Sequence, residues 1–220
     1  SADPEFSGLK GQYSDVPEGV WTRMRHSWLN MRAVTRKLLD EAPSEGRLIF
    51  YLVMSDLIFF LSWTFKTVVV PVTQETDGPL PEDPGLRLVL VLILALLVRT
   101  AMFYLASVVV WVMCRGVGGD GNWRDTKAGM FWGSLVSAPY GFAAAIVTVL
   151  LLQVEGTLIS SELAVLIPFV IAMLPFVWYI SAGVSEAHRF TQSIVLFVVL
   201  SIVVFGIITA LILLNLESFA

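Results

Sequence analysis

"LRLVLVLILALLVRTAMFYLASVVVWVM", residues 86–113, decides the fold, because Arg87 and Arg99 are its only charges. About 20 apolar residues in a helix cross the roughly 30 Å of hydrocarbon in a bilayer, and this run is longer. Working outward from it, four more runs qualify, at about 48–70, 128–152, 163–181 and 194–216. The chain of 220 residues is 56% hydrophobic and 15% charged, with a mean hydropathy of +0.78. Soluble domains run nearer ~45–50% apolar and ~25% charged. The reading is therefore all-α: a polytopic membrane protein of five helices. Pro168 and Pro175 predict a kink in the fourth span.

A net charge of −4 gives no basic excess for a nucleic-acid partner. The single Cys114 excludes an internal disulfide; at the cytoplasmic end of its span it is either a site of acylation or an inert interfacial thiol. Residues 1–6, "SADPEF", read as a translated cloning linker and carry no weight. No secretory signal precedes the first apolar run at Leu48, so insertion is expected to rely on the internal helices.

Lysine and arginine counts orient the spans. Segment 7–47 carries Lys10, Arg23, Arg25, Arg32, Arg36, Lys37 and Arg47; segment 114–127 adds Arg115, Arg124 and Lys127, and segment 182–193 adds Arg189. The opposite flanks hold only Arg87, beside Glu75, Asp77, Glu82, Asp83, Glu155 and Glu162. Eleven positives against one predict a cytoplasmic N-terminus and an external C-terminus.

The cytoplasmic segment 7–47 has its own pattern. Trp21, Met24, Trp28, Met31 and Leu38, with Thr35 between, recur at spacings of three and four and so share a helical face. Arg23, Arg25, Arg32 and Arg36 lie mostly elsewhere on the wheel. A basic helix with tryptophans on its apolar stripe suits the anionic cytoplasmic leaflet, and interfacial docking is the expectation. The alternative is that the stripe packs on the protein's own loops. Pro43 and Gly46 are expected to break this helix before the first span.

Within the spans, Asp56, Lys66 and Arg99 are ionisable. A charge at mid-bilayer costs at least ~2.5–3.5 kcal/mol and demands a partner. Lys66, near a span end, can snorkel. Asp56 and Arg99 sit on neighbouring antiparallel spans and predict an ion pair facing the bundle interior, acting either as a lock between helices or as a gate. The third span repeats Gly129, Gly133, Ser137, Gly141 and Ala145, a small residue every four positions, which permits close approach by another helix of the same chain or of a second protomer.

"GVGGDG", 116–121, matches G-x-G-x-x-G. A dinucleotide reading needs a preceding strand, and here a membrane helix precedes, so the string reads as a flexible turn, with Asp125 capping the following helix. Glu186, His188 and Arg189 form a cytoplasmic corner between the last two spans. His26 and His188 stand too far apart in sequence to begin a metal site, no cofactor motif is present, and no nucleophile–base pair is recognisable.

Three stretches carry a resemblance: "AVTRKLLDEAPSEGRL" (33–48), "GGDGNWRDTKAGMFW" (118–132) and "VWYISAGVSEAHRFTQSIVLF" (177–197). Over about residues 28–216 the chain resembles the bacterial branch of the Yip-domain family of integral membrane proteins. The resemblance implies five spans, a cytoplasmic N-terminus, location in the bacterial inner membrane, and membrane organisation through protein partners without catalytic residues. The eukaryotic Asp-Leu-x-Gly-Pro signature is absent; Asp56-Leu57 matches only its first two residues. The expected function is thus non-enzymatic, organising membrane or recruiting partners at the cytoplasmic face. The alternative is a small transporter, channel or lipid-moving protein using Asp56 and Arg99.

Overall fold

A computed structural model describes residues 19–69, 83–153 and 161–217. It is all-helical: α1 (Val20–Asp40), α2 (Glu45–Val69), α3 (Pro84–Gly116), α4 (Trp123–Gln153), α5 (Ser161–Ala187) and α6 (Ser193–Glu217). Four stretches are long and apolar enough to cross a membrane: Glu45–Lys66, Gly85–Gly116, Trp123–Gln153 and Leu166–Ala187. Within α6, Ser193–Ile207 is apolar but shorter. The acidic flank residues Glu75, Asp77, Glu82 and Glu155 lie outside the described residues.

The centre of the molecule is α4, and its small residues put it there. A side chain added at Gly129 would lie 2.6 Å from the carbonyl oxygen of Gly183, and one at Gly183 would lie 2.6 Å from that of Gly129. At this crossing the backbones of α4 and α5 touch, which only paired glycines allow. A Cβ at Gly133 would lie 2.9 Å from the backbone of Tyr179 and Ile180. On its other side α4 meets α2, where Tyr51 packs edge-on to Trp132, Ser55 and Ser134 share a 2.7 Å hydrogen bond, and Gly141 accommodates the ring of Phe59. Gly129, Gly133 and Gly141 of the small-residue stripe therefore meet other helices of the same chain.

By contrast, α3 leaves most of its apolar surface exposed, including Leu90, Leu94, Leu97 and Leu105. Its attachment to α4 lies in its last turns, where Phe103 and Tyr104 pack on Phe131 and Trp123 donates to Ser107 at 2.9 Å.

Helix ends explain the observed boundaries. Asn122, not Asp125, caps α4: its Oδ1 accepts from the Asp125 amide at 2.8 Å, while its Nδ2 donates to Asp125 Oδ2 at 2.9 Å. Aspartate at the third helical position reciprocates rather than initiates, as in a capping box. Likewise Gly46 lies inside the first turn of α2, and Ser44 precedes it with its Oγ accepting from Arg47. At the other ends, α3 and α5 both close with paired backbone bonds of the Schellman kind. Gly119 donates to Cys114 and Gly118 to Arg115 after α3; Phe190 donates to Ser185 and Arg189 to Glu186 after α5. The left-handed position is Gly118 (φ 89) in the first case and, unusually, Arg189 (φ 58) in the second.

Candidate functional site

The largest departure from expectation is α1. Asn30 has φ −143 and ψ 63, so the helix breaks there. Arg23 and Glu41 are 18 residues apart yet bonded, Nη2 to Oε1 at 2.6 Å and Nη1 to Oε2 at 3.0 Å. A continuous helix would hold them about 27 Å apart. The segment is instead a helical hairpin whose arms, 20–29 and 31–40, fold back to back. Asparagine is a poor helix former whose side chain competes for backbone groups, which suits it to the break.

Each arm buries its own short stripe, Met24 and Ser27 in the first and Met31, Val34, Thr35 and Leu38 in the second. The expected lipid-facing stripe is thereby corrected: its methionines and leucine pack on α4 and α5, because folding at Asn30 turns both arms onto the bundle. Polar bonds fix the docking. Trp132 donates to Ser27 Oγ at 3.0 Å, and Trp28 donates to the Val136 carbonyl at 3.0 Å. Trp28 also packs edge-on to Tyr140, whose hydroxyl lies 3.1 Å from that of Tyr179. Val136 lies about 20 Å along α4 from Trp123, and Tyr179 about 12 Å back from the end of α5. The tip of the hairpin therefore reaches well past the helix ends towards the middle of the bundle. At that tip Leu29 is 95% exposed, and Trp21, in the first turn of α1, is 57% exposed. Arg25 also faces outward.

The second arm is fastened at the corner. Glu186 is buried in the last turn of α5, which continues to Ala187 rather than ending near 181. Its Oε2 accepts from Arg32 Nε at 2.8 Å and its Oε1 from Arg36 Nε at 2.6 Å. Arg32 also donates to the carbonyls of Thr191 and Phe190, at 2.9 and 2.8 Å. Two residues expected to meet lipid headgroups thus meet the corner cluster, which the sequence offered as a separate feature. At the hairpin base Arg47 joins Glu41 at 2.8 Å, and the two arginines, Arg23 foremost, hold the Glu41 carboxyl below the ordinary range.

His188 packs inside the corner. Its Nε2 lies 2.8 Å from Thr126 Oγ1 and its ring stacks on Phe190. The glycine loop closes over it: a Cβ at Gly119 would lie 2.5 Å from His188 Nδ1, and one at Gly121 would lie 2.6 Å from the Ala187 carbonyl. Gly119 and Gly121 thus form a tight cover for an imidazole, whereas a Cβ at Gly116 or Gly118 of the G-x-G-x-x-G string would have no neighbour within 4 Å. Burial, then the Arg115 charge, pushes the His188 pKa down, with Asp120 opposing.

Three further ties were missed from the sequence. Lys127 donates to both Glu45 oxygens, at 2.8 and 2.6 Å, and Tyr104 bonds the same carboxylate. Arg124 donates to the carbonyls of Ala42 and Pro43, at 3.0 and 2.9 Å. For Glu45, Arg124 and Lys127 the only available signal was their position in charged helix-flanking segments, and Tyr104, inside an apolar run, gave none. Among the described residues no group of three or more metal-ligating side chains gathers.

Deeper in the bundle, Asp56, 2% exposed, and Arg99 form an ion pair. The Arg99 guanidinium also lies over Phe59, 4.0 Å from its centroid, and 5.3 Å from that of Phe103. Beside it a cavity of about 290 Å³ opens between α2, α3, α4 and α5. Lys66, assigned to snorkelling from sequence, lines this cavity. Cys114 is buried at the end of α3.

In comparison with known proteins, the family model described as the Yip1 domain matches residues 24–214. No curated protein and no solved structure matches the chain.

Proposed function

The chain belongs to the Yip1 domain family, and on that premise we propose that it is a non-enzymatic integral membrane protein that organises the cytoplasmic leaflet, with the α1 hairpin as its wedge. The supporting observation is the fold-back at Asn30, which leaves Leu29 exposed at the hairpin tip next to Trp28, whose indole reaches the Val136 carbonyl, while Glu186 holds the second arm. An apolar tip at that depth, with a charged base at the helix ends, displaces lipid from one leaflet only.

The reading takes the positive flanks as cytoplasmic, α6 as the fifth span, a bacterial inner membrane as the location, and protein partners on the same face near Trp21 and Arg25. Anionic lipids favour the base of the hairpin through Arg25.

The test uses a spin label at Leu29→Cys in a Cys114→Ala background, with the full chain in vesicles. The label is expected to be relaxed by oxygen, which partitions into acyl chains, and shielded from a water-soluble nickel complex. Wild-type vesicles are expected to show more highly curved membrane by cryo-electron microscopy than those holding Leu29→Asp. A label relaxed mainly by nickel, or identical vesicle shapes for both proteins, refutes the wedge.

A further inference from the structure

The cavity between α2, α3, α4 and α5 plays no part in the hairpin, and its chemistry is unlike the rest of the bundle. It is lined by Lys66 and Arg99, by Ser62, Ser137 and Thr148, and by aromatic residues that include Phe59 and Phe176. At about 290 Å³ it sits near the ~300 Å³ at which small-ligand pockets begin.

The three hydroxyls already donate within their own helices, to Ile58, Ser134 and Ala144 carbonyls at 2.7, 2.9 and 2.9 Å. The donors left for an occupant are therefore the two cations. Asp56 meets Arg99 from the other side of the wall, in a second recess between α2 and α3. It offsets one positive charge and, among the described residues, leaves the other unmatched. Arg99 Nη2 is buried without a hydrogen-bond partner among the described residues, a costly condition for a charged group unless an acceptor arrives. Among the described residues Lys66 makes no ion pair. With Arg99 inside its span and Lys66 at the end of its own, the lining carries a net single positive charge among the described residues, which calls for a single negative one.

The route in narrows the class further. Trp63 and Phe169 line the cavity and are also exposed on the apolar outer surface of the bundle, at 45% and 47%. An occupant arriving past them comes sideways from the lipid, so it must be an amphiphile.

We propose that this cavity binds the anionic headgroup of a membrane amphiphile, a phospholipid monoanion of the phosphatidylglycerol type, with its phosphate between Lys66 and Arg99 and its chains along Phe169 and Trp63. The size of the cavity admits the headgroup and not the chains. The same single negative charge is offered by a fatty-acid carboxylate, and the experiment separates the two sources.

The full chain in detergent is titrated with phosphatidylglycerol, phosphatidylcholine and oleate, and bound lipid is read by native mass spectrometry. Phosphatidylglycerol is expected to be retained one per chain, about tenfold more tightly than phosphatidylcholine. Lys66→Gln should weaken it by about the same factor. Ala144→Trp, which fills the cavity without touching a charge, should abolish it; Arg99 is left intact because its loss would strand Asp56. Oleate that displaces phosphatidylglycerol supports a site reading charge alone, and failure of oleate to compete supports recognition of the phosphodiester. Equal retention of the two phospholipids, or phosphatidylglycerol binding untouched by Lys66→Gln, overturns the proposal, and the latter variant stands if the tryptophan variant fails to fold.

Discussion

Replacing Glu186 by Gln keeps the shape of the corner and removes its charge. Glu186 accepts two charge-assisted bonds, at 2.8 and 2.6 Å, while buried to 7% side-chain exposure. Such bonds are worth about 1.5–3 kcal/mol each when desolvated. The arginines are not fully desolvated, with side chains 41% and 24% exposed, and their share must be discounted for solvent screening. Arg32 also keeps its bonds to the Thr191 and Phe190 carbonyls. About 2 kcal/mol of local stability is left to lose, close to a 30-fold rise in the open population. The loss should be confined to the second arm of α1, because the α4–α5 crossing at Gly129 and Gly183 does not involve Glu186. Hydrogen exchange of the full chain in lipid nanodiscs reads both regions at once. Amides of 31–40 should exchange about 30-fold faster in Glu186→Gln, with those of 129–138 unchanged. Unchanged exchange in 31–40 would show that the buried Met31, Val34 and Leu38 hold the arm alone. Equal acceleration in both regions would show that Glu186 supports the whole bundle and not a docked hairpin.

Two other outcomes follow from the same geometry. Gly183→Ala places a methyl 2.6 Å from the Gly129 carbonyl, a backbone atom that cannot swing away; overpacking of this kind costs about 1–3 kcal/mol. It should lower the thermal midpoint in detergent, whereas Gly206→Ala, inside α6 with nothing within 4 Å, should leave it unchanged or raise it. The corner should also loosen in mild acid. His188 has a folded pKa below its ordinary 6.5, so the unfolded or opened state binds the proton more readily. Its contribution is whole above 6.5 and is lost as pH falls through the folded value. Exchange at 118–122 should rise over that window in the wild type and lose its pH dependence in His188→Phe, and a flat wild-type profile would refute the coupling.

How much of this was legible depended on the range of the interaction. Long apolar runs report helices across a bilayer because composition alone sets them, so α2 to α5 were readable within a few residues. Helix ends were less so. Residues 182–187 look like a polar loop, yet they stay helical because Glu186 finds two arginines 150 and 154 residues earlier in the chain, a pairing no local pattern carries. The stripe of small residues was visible, but its partner was not, since Gly183 stands alone in α5 without a repeat of its own. The glycines at 119 and 121 could be noticed and not explained until the ring of His188 appeared beneath them.

The hairpin was hidden for a different reason. Periodicity of three and four continues across Asn30, and a straight helix satisfies it as well as a folded one. What separates the two is the Arg23–Glu41 contact, compatible with only one of them. The same consideration explains why cohesion in this bundle is uneven. Ties at the helix ends that carry the positive flanks are polar and specific: Glu45 with Lys127 and Tyr104, Arg124 with two carbonyls, Trp111 with the Gly121 carbonyl at 3.2 Å. Beyond Phe103 towards its start, α3 offers mostly leucine and valine, which lipid solvates as well as protein does, so nothing there draws the helices together. The helices are fastened at one end, and the cavity lies where they part. Arg99 is the exception in that stretch, and it is held to Asp56 and two phenylalanine rings at the cavity wall. In a bundle built this way the proposed wedge at one face and the proposed lipid site at the side are compatible, because the contacts that secure the first are not those that line the second.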